Sequence, residues 1–124
     1  MNDFTPPRFV SSLVSRLAAA CRPDEIVLFG SYAKGLADNA SDVDFLLVFS
    51  RPPSVALKNA AFDNTRGALN VDVHLHDRAE LVAAARDPHG FLGSVLRSGR
   101  SVYRKTDSRP ILVEIALPRT AGRT

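Results

Sequence analysis

The sequence predicts a small α/β (α+β) domain, a mixed sheet flanked by helices, and three observations carry that reading. Phe9, Val10, Leu13, Val14 and Leu17 recur at helical spacing, and a second helical stripe covers Phe91 to Arg97. Two short apolar runs, Ile26 to Phe29 and Val43 to Phe49, have the length of buried strands. Finally, Leu69, Val71, Val73 and Leu75 alternate with Asn70, Asp72, His74 and His76, giving a strand with one apolar and one polar face.

The elements follow in order. Pro6 and Pro7 precede the first helix, which ends near Arg22-Pro23. The first strand stops at Gly30-Ser31. Residues 32 to 41 hold Gly35, Asp38, Asn39 and Ser41 and read as loop or a single helical turn. Arg51-Pro52-Pro53 closes the second strand, and Ser54 caps a helix running through Leu57, Ala61 and Phe62 toward Gly67. Asp77 followed by Glu80 resembles a capping box for a helix from Leu81 to Arg86. Gly99 stops the last helix, and Val102-Tyr103 adds a short strand. Ile111 to Leu117, between Pro110 and Pro118, lies beyond this domain and is either an extra strand or a segment that packs on a partner. The expected organisation is therefore a domain over residues 1–105 and a basic tail over 106–124 with an apolar segment, through which the chain could form oligomers.

Composition narrows the class. At 124 residues, 45% hydrophobic and 23% charged, the chain matches one ordinary globular domain. No apolar run approaches the ~20 residues of a membrane span, and the start lacks the basic-then-apolar order of a signal peptide. The expected location is the cytoplasm. A single cysteine, Cys21, excludes an internal disulfide and a cysteine-clustered zinc site, and its place on the first helical stripe reads as a core thiol. The net charge of +3 is uneven: the last 28 residues carry +5 through Arg97, Arg100, Arg104, Lys105, Arg109, Arg119 and Arg123, against Asp107 and Glu114. Such a stretch is a solvated tail or a surface for phosphates.

The residues with chemistry lie around the first two strands. A triphosphate needs backbone N–H groups at close approach, which a glycine at a strand-to-helix turn permits. Gly30 supplies that, and Ser31 adds a hydroxyl donor. Asp42 and Asp44 stand two apart on one strand, so both side chains leave the same face. There they repel one another unless a cation lies between them, and magnesium prefers carboxylate and phosphate oxygens. If the next strand is a neighbour, Asp72 reaches the same place. Three converging acids suit a two-metal arrangement, with Asp72 as ligand and orienting base for an attacking hydroxyl. His74 shares the face of Asp72, with His76 one step further along; both read mainly as exposed residues. His89, before Gly90, reads as a helix-start residue.

The stretch Leu28-Phe29-Gly30-Ser31-Tyr32-Ala33-Lys34-Gly35, ten intervening residues after Gly-Ser, and then Asp42-Val43-Asp44 between apolar positions resembles the signature of the DNA-polymerase-beta-like nucleotidyltransferases. Within them the chain is most similar to the minimal nucleotidyltransferases, the MntA-like proteins of prokaryotes. The resemblance runs from about Leu13 to Lys105 and includes Phe91 to Tyr103. It implies the polymerase-beta-like fold, with Gly30 and Ser31 binding the triphosphate. Asp42, Asp44 and Asp72 would form the catalytic and metal-binding triad. Lys34 stands where many relatives carry Arg and would contact phosphate as a point charge.

The same resemblance implies ATP as substrate, two Mg²⁺ ions, and transfer of AMP to an acceptor hydroxyl with release of pyrophosphate. The acceptor it implies is a tyrosine on a partner HEPN-domain toxin, which makes the chain an antitoxin; neither nucleic acid nor membrane is an expected partner. Two alternatives stand beside it: a non-catalytic antitoxin or complex subunit that acts by binding, and a small-molecule nucleotidyltransferase. The presence of Asp72 speaks against the first. The short chain, without a second domain to form a pocket, speaks against the second.

Overall fold

The computed structural model describes residues 5–37, 42–68, 70–87 and 89–116. The first helical stripe becomes α1 (Arg8–Cys21), which buries Val10, Leu13, Val14, Leu17 and Cys21 and ends where Arg22 turns left-handed ahead of Pro23. Then follow β1 (Glu25–Phe29), the single turn α2 (Ser31–Lys34), β2 (Val43–Phe49) and α3 (Val55–Thr65). Ser54 caps α3 by accepting the Leu57 N–H at 3.2 Å. The alternating segment forms β3 (Val71–Asp77) and runs directly into α4 (Arg78–Ala84). Asp77 serves both: it is the last strand residue and the N-cap whose Oδ1 accepts the Glu80 N–H at 2.7 Å. Hence α4 begins three residues before Leu81, where the sequence placed its start; Leu69 lies outside the described residues. α5 (Phe91–Ser98), β4 (Arg100–Arg104) and α6 (Ile111–Ala116) complete the order.

The strands line up as β3-β2-β1-β4. β1 is antiparallel to both β2 and β4, whereas β2 and β3 are parallel, joined by the α3 crossover. The end of β1 and the starts of β2, β3 and β4 therefore meet at one end of the sheet. Both faces are covered. Ile26 and Leu28 of β1 and Val43, Phe45 and Leu47 of β2 pack with α1 and α3. Val27, Phe29, Leu46 and Val48 pack instead with Leu81, Val95, Leu96 and Ile111 from α4, α5 and α6. Burial from two sides is why β1 and β2 read as unbroken apolar runs. Strand parity puts Asp44 and Asp72 on the second face.

Gly99 closes α5 in an extended conformation, its N–H donating to Val95 O at 2.8 Å. What requires glycine there is space: a Cβ would stand 2.5 Å from Val27 Cγ1.

The apolar segment after Pro110 corrects the sequence reading. Over Ile111–Ala116 it is not the extra strand that the sequence allowed but the short helix α6, docked on this domain by one face, with Leu112 and Val113 exposed on the other. Val113 and Glu114 donate their N–H groups to Pro110 O, and the fully buried Ile111 and its i+4 neighbour Ile115 face the α4/α5 layer. The Ile111 N–H donates to Glu25 Oε1 at 2.7 Å, which satisfies a carboxylate that is only 1% exposed. Glu114 pairs with Arg78 at 2.6 Å, and Arg78 Nε donates to Asp24 Oδ2 at 3.0 Å. Leu117 and the last two arginines lie outside the described residues.

Ending the chain after Lys105 should therefore destabilise the domain. Loss of the buried Ile111 side chain alone is worth about 2–5 kcal/mol. Urea denaturation should show a lower midpoint in the shortened chain; an unchanged midpoint would mean that α6 contributes nothing to the core.

Candidate active site

Three segments converge at the sheet end defined by the close of β1. Gly30 follows Phe29 with φ of +76°, a conformation that L side chains rarely adopt. It opens α2, in which Ser31 is the first residue, and the first N–H groups of any helix have no partner within the helix. Its missing side chain matters as much as its backbone: a Cβ would stand 2.5 Å from Asp44 Oδ2. Glycine thus lets the turn close onto the carboxylate.

Asp44 lies between two neighbours. Across the antiparallel pairing it faces Phe29, and across the parallel pairing it faces Asp72. Asp42, exposed, immediately precedes β2. The register makes concrete what the sequence left conditional: β2 and β3 are adjacent, with Asp44 and Asp72 at paired positions. Burial first, and then the charges of Asp72 and Asp42, push the Asp44 carboxyl above its ordinary range, and nearby His74 pulls the other way.

Among the described residues no three His, Cys, Asp or Glu side chains are grouped so as to hold a metal ion by themselves. The donor set nevertheless fits a divalent cation shared with a ligand. Magnesium is commonly held by one or two carboxylates together with substrate phosphates and water. A half-buried carboxylate raised by like charges is where such an ion relieves the most repulsion.

The remaining candidates are distributed unevenly. Lys34 ends α2 and is exposed. His74, expected at the surface, is instead half-buried against the rings of Phe29 and Phe91, with centroids 5.7 and 5.6 Å away. His76 Nδ1 lies 2.9 Å from Glu80 Oε1, without the alignment of a hydrogen bond. Exposed His89 sits in the turn before α5, its N–H donating to Asp87 Oδ1 at 3.0 Å. Arg104 donates to Ser108 O and stands at the far end of β4.

Arg100 has a place that the sequence did not reveal. Its Nε donates to Ala33 O at 2.8 Å, tying the helix that begins at Gly30-Ser31 to the first residue of β4. No local pattern signals this bond, since 67 residues separate the partners.

The raised Asp44 carboxyl has a thermodynamic consequence. Its ionisation destabilises the folded state, a penalty fully present above the folded pKa and lost as pH falls through it. Asp44→Asn removes the charge and keeps the shape. Without metal or nucleotide, its melting temperature at pH 7 should exceed wild type by a few degrees, consistent with about 1 kcal/mol or less for opposed like charges. The gain should shrink as the pH approaches about 4. A mutant that melts below wild type at pH 7 would contradict this account of the site.

Comparison with known proteins agrees with this geometry. The model of the nucleotidyltransferase domain family matches residues 9–89. Solved structures share the fold, among them the following three. A candidate nucleotidyltransferase from Sulfolobus solfataricus is 20% identical, with a TM-score of 0.55 over 83% of this chain and 84% of that one. A toxin–antitoxin with AMP-PNP is 21% identical, with a TM-score of 0.55 over 85% and 82%. A mutant of the toxin–antitoxin MntA–HpeT is 18% identical, with a TM-score of 0.54 over the same shares. No curated protein matches the sequence. No helix among the described residues is long and apolar enough to cross a membrane. With nearly two thirds of its length matched, from α1 to the turn before α5, the chain belongs to the nucleotidyltransferase domain family and is a nucleotidyltransferase.

Proposed function

We propose that this nucleotidyltransferase moves AMP from ATP to a hydroxyl of a partner protein, a tyrosine of a HEPN-domain toxin, and so acts as its antitoxin. The observation that carries the reading is the register pairing of Asp44 with Asp72 beside the side-chain-free turn at Gly30. Similarity to two toxin–antitoxin structures, one with the ATP analogue AMP-PNP, supports the nucleotide and the class of partner.

Each residue then has a task. The Gly30-Ser31 turn holds the triphosphate tail through backbone N–H groups and the Ser31 hydroxyl. Lys34 contributes charge to the same tail. Asp42 and Asp44 would hold the ion that accompanies the triphosphate, and Asp72 the ion on the acceptor side. When bound, divalent ions neutralise phosphate charge and make the acceptor hydroxyl a better nucleophile. Asp72 orients that hydroxyl and accepts its proton. Mg²⁺ is the ion this oxygen-only set fits best.

Because Asp72 serves the acceptor side, its removal should weaken transition-state stabilisation more than ATP binding. Asp72→Asn should lower transfer at least ~100-fold, while affinity for ATP–Mg²⁺ stays within roughly tenfold, about 1.4 kcal/mol. Mass spectrometry of the partner after incubation with labelled ATP reads the first quantity, and calorimetry the second. Full transfer by the mutant would remove Asp72 from the chemistry. No transfer by wild type, with partner neutralisation unaffected by the mutation, would favour an antitoxin that acts by binding alone.

A further inference from the structure

Two cavities lie along the outer side of β3. One of about 510 Å³ is lined by Asp42, Asp72, Phe62 and Thr65. The other, about 530 Å³, shares Asp72, Phe62 and Thr65 and continues past Lys58 as far as His76. They form one groove that starts at the two acids and runs along β3, with α3 as its wall. From Asp72 to His76 the strand rises about 13 Å, long enough for several residues of extended chain.

Position, edge and wall agree on what this groove receives. In nucleotidyl transfer the attacking and leaving oxygens stand roughly in line across the phosphorus. With the triphosphate tail on the β1 side of Asp44, at Gly30-Ser31, the nucleophile arrives from the opposite side, which is that of β3 and the groove. Among the described residues β3 is also an edge strand, hydrogen-bonded within the sheet to β2 alone. It is seven residues long, enough for an added strand to pair with, and free of proline. On the wall, Phe62 is 65% exposed although it is a large apolar side chain, and the Arg66 guanidinium lies 5.9 Å over its ring. Lys58 lines the end of the groove away from the acids.

We propose that this groove is the acceptor site and that its occupant is an extended segment of the partner protein, added to β3 as a fifth strand. This rests on the transfer reading above. The segment presents its hydroxyl residue at Asp72, packs an apolar or aromatic side chain on Phe62, and places an acidic residue about four positions away, beside Lys58. Backbone pairing supplies affinity, while Phe62 and Lys58 supply selectivity.

The test uses short synthetic peptides, each with a tyrosine and an acidic residue scanned along the flanks. Binding to the full chain is measured by fluorescence anisotropy without ATP, and transfer afterwards with labelled ATP and Mg²⁺. Binding should be strongest with the acid about four residues from the tyrosine, and hydrogen exchange should slow at β3 amides. Phe62→Ala and Lys58→Glu, both exposed positions that leave the core intact, should weaken binding roughly tenfold. Lys58→Glu should also shift preference toward peptides with a basic residue at that position, which a merely structural residue would not do. ATP–Mg²⁺ affinity should not change in either variant. The proposal is overturned if no peptide binds, if both variants bind like wild type, or if protection appears away from β3. Peptides that bind the groove but receive no AMP would instead remove the transfer reading, whereas transfer to a partner that survives both substitutions would remove the groove alone.

Discussion

The structure depends on an unfavourable contact, two carboxylates at paired positions of adjacent parallel strands. Like charges directly opposite each other destabilise a sheet, and here burial adds to the repulsion. The pair is tolerated because it lies at the sheet end, next to a turn whose glycine has no side chain to crowd it further. Relief from outside the chain would have to be cationic. An acidic pair beside a turn that opens a helix is a place that favours a metal–phosphate complex over either component alone.

The opposite end of the same sheet makes the contrast. Asp24 and Glu25 are more deeply buried than Asp44 or Asp72, yet both are satisfied within the domain. Burial works against the Asp24 charge, but hydrogen bonds from Ser50, Arg78 and Lys105 overcome it and hold the carboxyl below its ordinary range. Glu25 accepts the Ile111 N–H and so fixes the start of α6. One end of the sheet therefore uses its acids to close the fold, with Arg78 joining Asp24 to Glu114. The other leaves its acids in excess. Acids matched by cations and donors serve stability, and acids that face mainly one another are available to a ligand.

Much of the site was legible because it is local. Gly30-Ser31 is a turn signal after an apolar run; strand parity suggested one face for Asp42 and Asp44, but Asp42 lies just before β2 and only Asp44 is a strand residue. Asp72 was legible only as a polar-face residue; its pairing with Asp44 depends on the β2–α3–β3 crossover, a long-range fact. α6 was not legible. Ile-Leu-Val-Glu-Ile between prolines has β-branched composition, and four-residue spacing is hidden when nearly every position is apolar. A buried partner for Glu25 was the missing signal, and it lies 86 residues away. His74 was misjudged for a related reason: alternation told which face it occupied but not that Phe29 and Phe91 would cover it.

Strand order explains how so short a chain can separate two substrates. Because β1 runs against its neighbours, the turn after it lies beside the starts of β2 and β3 and not at the far end of the sheet. Asp44, on the strand between, thus has the phosphate-type turn on one side and Asp72 on the other. Arg100 extends the same logic outward, since β4 begins at this end too and its first residue fastens α2. Were β1 parallel to β2, its following turn would lie about 20 Å away, one strand length. The antiparallel centre of the sheet is therefore what gathers these residues at one end, and among the described residues it leaves β3 as the outer strand on the side of Asp72.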